Sequence, residues 1–324
     1  MLGFEPEGRL INCIENRAAL NSPASLKEAM REGKILEGRA LVCTSDHDLI
    51  VDLGCMRGII PREEGAIGIR EGKIRDIAIL SRVNRPVSFI VTDIEENENG
   101  QRAILSRRKA QNVCMESYLS KLNPGDIIDT RVTHLEPFGA FLDVGCGISA
   151  LMPIDCISIS RINHPRERFS VGMDLKAVVK SIENGRITLT EKELLGTWEE
   201  NAARFSPGQT VAGVIRSVEP YGIFVEQTPN LAGLAESRPN ILPGQQASVY
   251  IKNILPSRMK VKLVIIDAFD QEWAPKEPEY FFSGSHMDRF IYSPSDCPKR
   301  IETIFSPEQN DFSISKPENA SNPP

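Results

Sequence analysis

Glu136-Pro137-Phe138-Gly139-Ala140-Phe141-Leu142 and Glu219-Pro220-Tyr221-Gly222-Ile223-Phe224-Val225 are nearly one stretch written twice, 83 residues apart. Self-similarity at a set spacing restricts the chain to tandem copies of one small unit. Each copy places an aromatic, a glycine and a second aromatic at the entry to a strand. Strand side chains alternate faces, so Leu142 and Val144 share one face while Phe141 and Asp143 share the other. A unit this small cannot bury both faces. The face carrying Asp143 is therefore expected to be wet, with Phe141 half exposed, and Phe224 beside Glu226 repeats the arrangement. An aromatic kept on a wet strand beside a glycine is a platform on which bases can stack. The alternative is that the rings only close a barrel end; two copies in register favour binding.

The matching extends outward. Gly208 corresponds to Gly125 and Leu234 to Leu151 at the same spacing of 83, and beyond a shortened loop Gly244, Lys252 and Arg258 correspond to Gly172, Lys180 and Arg186 at a spacing of 72. Between these landmarks lie short β-rich runs bounded by turn residues, the pattern of a small closed barrel. In the second repeat (119–194) they are 125–132, 141–144, 150–153, 172–183 and 185–190, with an irregular connection over 154–169. The third (208–266) ends in Ser257-Arg258-Met259-Lys260-Val261-Lys262-Leu263. Alternation there sends Met259, Val261 and Leu263 inward and Arg258, Lys260 and Lys262 outward. Three cations on one strand give an electrostatic track beside the stacking surface; the alternative is a solvated edge strand.

A weaker first repeat (33–118) has runs at 38–43, 49–54, 58–61, 86–94 and 102–106. Aligning its Val51-Asp52-Leu53-Gly54 with Leu142-Asp143-Val144-Gly145 puts His47 and Ile50 where the aromatics belong, so the platform is missing. Residues 1–32 read as a lead-in with one short helix from Ser25 and no chemistry. Residues 191–205 read as helical, and 195–207 as a linker, with Trp198 either packing or stacking on a base. In the acidic extension 267–324, the apolar part from Tyr280 to Phe305 is expected to fold back on a barrel or dock a partner. The last dozen residues are expected to be disordered. The fold class is thus all-β: three tandem five-stranded barrels joined by short helices, with a partly disordered C-terminal tail.

The net charge of −6 looks wrong for a nucleic-acid binder until it is apportioned. Residues 267–324 alone carry 11 acidic and 5 basic residues, whereas residues 208–266 carry 6 basic and 3 acidic. Binding depends on where charge sits more than on its sum. The 7 cysteines are odd in number and lack C-x-x-C spacing, which argues against a disulfide framework or a zinc site and for a reducing compartment. No apolar run approaches the roughly 20 residues needed to span a bilayer, and the N-terminus lacks the layout of a secretion signal. A cytoplasmic protein without membrane attachment is expected.

The unit resembles the RNA-binding repeat of bacterial small-subunit ribosomal protein S-one. Residues 136–145, Asn163-His164-Pro165 before Val171-Gly172, Arg186-Ile187-Thr188-Leu189-Thr190 and residues 219–225 carry the resemblance, which spans about 33–266 and is strongest from 119. It implies the oligonucleotide/oligosaccharide-binding (OB) fold and single-stranded RNA as ligand. It also implies RNA contacts at Phe138, Phe141, Tyr221 and Phe224 on the second strands, and at Arg186 and Arg258 near the last strands. Arg131, Arg216, Lys252, Lys260 and Lys262 complete the expected contact set. The family often has histidine just after the third strand; Pro153 and Glu236 stand there instead. The first repeat, lacking aromatics, looks like a barrel turned to protein contact, with the small ribosomal subunit as partner.

Four histidines, at 47, 134, 164 and 286, are scattered. No metal set, cofactor motif or catalytic constellation is visible, and no block is left for a catalytic domain. The expected function is a non-enzymatic RNA-binding protein of translation, a short homologue of the ribosomal protein. The alternatives are an RNA-binding regulator or transcription or RNA-decay accessory protein away from ribosomes, or a protein–protein scaffold.

Overall fold

The computed structural model describes residues 4–97, 100–271 and 275–306. Three closed five-stranded barrels follow one another. The first comprises β1 (Leu36–Cys43), β2 (Leu49–Asp52), β3 (Arg57–Ile60), β4 (Pro86–Asn97) and β5 (Gly100–Ser106). The second comprises β6 (Ile127–Glu136), β7 (Gly139–Asp143), β8 (Ser149–Pro153), β9 (Asp174–Glu183) and β10 (Arg186–Thr190). The third comprises β11 (Thr210–Glu219), β12 (Gly222–Thr228), β13 (Leu231–Ala235), β14 (Gln246–Leu255) and β15 (Lys260–Phe269). In each, three strands form an antiparallel meander. The fifth then lies parallel to the third, and the fourth closes the sheet back to the first. This is the OB topology, and the all-β expectation holds.

Alternation drives the closure. On β15, Val261, Leu263 and Ile265 enter the core while Lys260, Lys262 and Val264 face out. The strand starts later than the sequence pattern suggested. Ser257 and Arg258 lie in a 3-10 turn, and Met259 takes the left-handed conformation at φ 47°. The reason is turn length. Asn184-Gly185, both at positive φ, make a two-residue hairpin turn between β9 and β10, whereas Leu255 pairs with Lys260 across four residues. Lys260 therefore takes the place of Arg186, and Arg258 sits off the strand.

The lead-in holds two helices rather than one. Before α2 (Pro23–Glu32), Ser22 Oγ accepts from Ser25 N and Ser25 Oγ from Ser22 N, both at 3.1 Å, so the cap is Ser22 and not Ser25. Pro23 has the φ a first helical turn needs, and Leu26 and Ala29 pack into the first barrel's core. Before it, α1 (Ile14–Leu20) lies against α2.

The lead-in does have chemistry. Glu7, buried between the first two barrels, accepts from Arg107 Nε at 2.7 Å, Arg82 Nη1 at 3.2 Å and Ser88 N at 3.0 Å, and its own N–H donates to Asp143 at 2.8 Å. Beyond the short α3 (Ile77–Leu80) within the first barrel, Arg107 opens α4 (Arg107–Ser117), the connector that follows that barrel. Burial alone would raise the Glu7 carboxyl, but Arg107 and Arg82 outweigh it and hold it below the ordinary glutamate value. The sequence could not announce this site, because Glu7 and Arg107 stand 100 residues apart.

The expected helix over 191–205 is only α5 (Trp198–Ala202), capped by Thr197 and Glu200. Trp198 is buried, so it packs. The extension folds back, as one of the two expectations had it. Residues 275–306 run across the second and third barrels. Ile127 N donates to Ser285 O and Met287 N to Gly125 O, both at 2.9 Å, and Trp198 N to Tyr292 O at 3.0 Å. The strap ends in a small hairpin, β16 (Arg289–Ile291) and β17 (Glu302–Ile304). Met287, Phe290, Tyr292 and Phe305 share one core cluster with Trp198, Val178 and the third barrel. The disorder expectation for the last dozen residues lies outside the described residues. Among the described residues no helix is long and apolar enough to cross a membrane.

The strap also creates a pH dependence. Glu191 is fully buried and accepts from the Tyr280 hydroxyl at 2.8 Å; burial, only partly countered by Tyr280 and Arg168, pushes its carboxyl up to about 8 from an ordinary 4.5. Glu37 and Asp143 are pushed up to about 7 by burial, and in both the charge of Glu7 adds to the effect. A raised carboxyl favours the folded state while protonated. That contribution is full below the unfolded value and is lost as pH rises through the folded one. The urea midpoint should therefore fall between about pH 5 and 8, and Glu191→Gln should flatten the fall most clearly in its last part, near pH 8, where Glu37 and Asp143 are past their midpoints. A mutant that tracks the parent's slope there would remove Glu191 from the account.

Candidate nucleic-acid interface

Strand pairing lays one residue from each of the five strands side by side across each barrel. On the second the row is His134, Phe141, Leu151, Thr188 and Ser181. On the third it is Ser217, Phe224, Leu234, Lys262 and Asn253. On the first it is Val42, Ile50, Ile59, Ile104 and Asp93. Two barrels thus centre on an aromatic and one on aliphatics.

Each aromatic row has a second ring at its rim. Phe138 lies 6.0 Å from Phe141 at 89°, and Tyr221 lies 6.2 Å from Phe224 at 87°. Such edge-to-face pairs hold their rings without covering both faces. The outer rings are 55% (Phe138) and 69% (Tyr221) exposed, while Phe141 and Phe224 are half-buried. The intervening glycine is required by the third strand. A Cβ on Gly139 would lie 2.4 Å from Met152 O, and one on Gly222 2.6 Å from Ala235 O. Only glycine lets the third strand run this close beneath the two rings.

The expected wet face is only half wet. Asp143 and Glu226, two residues past the inner rings, are both buried in joints between bodies of the chain. Asp143 accepts from the backbone N–H of Glu7, Gly145 and Gly147 at 2.8 to 3.0 Å. Glu226 accepts from Arg216 Nε at 2.8 Å and Nη2 at 3.0 Å, and from Arg168 of the β8–β9 connection. Alternation does set which face these acids share with the rings, but a neighbouring body covers that end of the strand.

The same joints claim two of the expected contacts. Arg216 is buried against Glu226 and Glu167. Arg131 pairs with Asp174 at 2.7 and 2.9 Å and donates to Glu7 O at 3.1 Å. Both sit beside the open face rather than on it. Lys260 and Lys262 are exposed on β15, Lys252 is exposed at a bulge in β14, and Arg258 is exposed in the turn beyond. Arg186 is exposed at the start of β10, opposite Glu183. The two faces therefore differ in charge. The third presents lysines, while the second presents Thr188 and a histidine engaged with an acid, His134 Nε2 lying 2.5 Å from Glu136.

Sequence reasoning missed His134, Leu151 and Leu234 as members of the rows. His134 lies 6.2 Å from the Phe141 ring at 33°. The signal was available: β6 and β7 form a tight hairpin, and folding it about Pro137-Phe138 brings His134 opposite Phe141. On the first barrel Ile50 does occupy the inner aromatic's position, and His47 sits in a turn at φ 66°. Among the described residues no group of three His, Cys, Asp or Glu is arranged to hold a metal ion.

Residues 121–190, the span of the second barrel, match the family described as S1 RNA binding domain. The chain is 30% identical over 207 residues to small ribosomal subunit protein bS1 of Staphylococcus aureus (strain COL), covering 61% of this chain and 50% of that protein. It is 32% identical over 182 residues to the bS1 protein of Staphylococcus epidermidis, covering 54% and 44%. The chain thus spans about half the length of these curated relatives. Among solved structures it is similar to a multidomain protein with nucleic acid binding domains from Streptococcus pneumoniae, with 13% identity, a TM-score of 0.25 and coverage of 72% of this chain and 74% of that one.

Proposed function

Since the chain is an S1-family protein, with an S1 RNA-binding domain at its centre and bS1 proteins among its relatives, we propose that it holds single-stranded RNA across the open faces of its second and third barrels. It acts as a binder rather than a catalyst. One observation carries this reading: two edge-to-face aromatic pairs, in equivalent positions on consecutive barrels, each lie in a row that runs to the last strand. Phe138, Phe141, Tyr221 and Phe224 stack bases, while Lys252, Lys260 and Lys262, with Arg186 and Arg258 at the rims, meet phosphates. The first barrel's row has neither ring nor cation and takes a protein contact. The relatives point to the small ribosomal subunit as that partner and to translation in the cytoplasm as the setting.

Each stacked base contributes ~1–3 kcal/mol by alanine substitution. The pair Phe141→Ala with Phe224→Ala should therefore weaken binding of an oligoribonucleotide at least about tenfold by fluorescence anisotropy, with the unfolding midpoint preserved. A folded double mutant with parental affinity would sink the platform reading.

Charge and stacking separate by salt. Each phosphate contact on a single strand adds about 0.7 to the logarithmic salt slope. Changing Lys252, Lys260 and Lys262 to Gln should flatten that slope by up to roughly 2 units. It should leave preference among homopolymers unaltered, because phosphate contacts carry no sequence information directly. A parental slope would move the phosphate track elsewhere.

The ribosomal setting is read by sedimentation. The protein should travel with small ribosomal subunits at low salt, and Ile50→Glu with Ile59→Glu should release it without loss of RNA affinity. If the parent stays at the top of the gradient, the role lies off the ribosome, as a regulator would have it.

A further inference from the structure

Two residues further along the last strand, the three barrels part company. The position after next from Ile104, Thr188 and Lys262 is Ser106, Thr190 and Val264. Their partners on the fourth strand are Ile90, Val178 and Tyr250. In the first two barrels the chain closes this surface itself. The Ser106 hydroxyl donates to Glu64 in a 3-10 turn just after β3, and Ser106 also caps α4, which packs on β4. Thr190 Oγ1 donates at 3.0 Å to the carbonyl of Cys156, in the 3-10 turn just after β8. The chain beyond Thr190 and the strap cover Val178. Ile90, Ser106, Val178 and Thr190 are all buried.

Among the described residues the third barrel lacks both covers. No 3-10 turn follows β13, and β15 runs straight on to Phe269. The strap returns to the side facing the second barrel. Tyr250 is left 39% exposed, Val264 43% and Ile266 50%. Lys262 precedes Val264 on the same face of β15, and Lys252 follows Tyr250 on β14. Arg238 spans the edge, its Nη1 donating to the carbonyls of Ile265 and Ile266 at 3.1 and 2.8 Å. The acids lie at the margins: Glu236 just past β13, and Asp267 and Asp270 toward and beyond the far end of β15.

We propose that Tyr250 and Val264, flanked by Lys252 and Lys262, extend the single-stranded RNA track of the third barrel beyond its Tyr221–Phe224 platform. The proposal rests on the RNA-binding reading above and adds a second stacking surface to it. Continuity supports nucleic acid as the occupant, since Lys262 stands in the Phe224–Leu234–Lys262 row and two residues before Val264 on the same face of β15. Strand geometry puts Tyr250 about 15 Å around the barrel from Phe224, three strand spacings across and two residues along. OB folds occupy ~4–16 nucleotides depending on the protein. A two-ring platform alone serves the short end of that range. The second barrel cannot extend in this way, because its own chain lies over Val178 and Thr190.

The test uses the full chain in a Phe141→Ala background, so that the third barrel's platform reports, with labelled oligouridylates of about 6 and about 16 nucleotides. Tyr250→Ala should weaken binding of the longer strand at least about fivefold and the shorter less than about twofold, while Tyr250→Phe keeps both. Phe224→Ala should weaken both. If Tyr250→Ala binds the longer strand like its parent while Phe224→Ala does not, the extension is wrong and the platform stands. If Phe224→Ala also changes nothing, the underlying reading fails and takes the extension with it. If Tyr250→Ala leaves RNA affinity alone but shifts self-association in sedimentation velocity, the face belongs to protein and the proposal is overturned. Equal unfolding midpoints confirm that all variants are folded.

Discussion

The arrangement of the barrels depends on one acid at the end of each second strand. Asp143 and Glu226 hold equivalent positions, and each is buried by the part of the chain that precedes its barrel. The chemistry differs. Asp143 is wrapped by backbone N–H groups beside the Glu7–Arg107 pair, whereas Glu226 takes one guanidinium from its own barrel and one from the barrel before. Buried ion pairs add little net stability, but breaking one by removing a partner costs about 3–5 kcal/mol, because a charge is left stranded. Such joints therefore specify geometry. A purely apolar contact could slide by a residue, whereas a bidentate arginine on a carboxylate accepts one register. The relation between the two aromatic faces follows from that register.

The first barrel shows what the joint looks like without its partner. Asp52 occupies the same position at the end of β2, is exposed, and accepts from Gly54 N at 2.9 Å, a contact that the Asp143–Gly145 pair repeats. The local turn is thus common to the first two barrels, and burial is added from outside. The identity of the covering body, rather than the strand itself, makes one acid a surface group and another a structural one.

The strands and the placing of an aromatic pair beside each second strand were legible in the sequence because they follow from alternation and turn residues within ten or so positions, while the strand order came only with the resemblance to the RNA-binding repeat. What lay beyond that reach was not. Alternation and the spacing of 72 from Arg186 place Arg258 on a strand, but the β14–β15 turn is two residues longer than the Asn184-Gly185 turn and shifts every position before the strand. Arg216 and Arg131 read as free cations, since nothing near them in sequence shows that Glu226 and Asp174 will claim them. The wetness of Asp143 failed for the same reason, its cover arriving from Glu7. Tyr250 was overlooked because a strand of Val249-Tyr250-Ile251 alternates whether or not something lies on its outer side. Local rules give the face a residue points to, and the rest of the chain decides whether that face is open.

The returning strap has a consequence for how the molecule is made. Its contact from His286 to Asp126 closes a span of 160 residues. During synthesis at ~5–20 residues per second, the second barrel would emerge roughly 5–20 seconds before the segment that seals the Val178 edge. For that interval the nascent barrel keeps open the part of this apolar flank that Met287, Phe290 and Tyr292 later share with Val178.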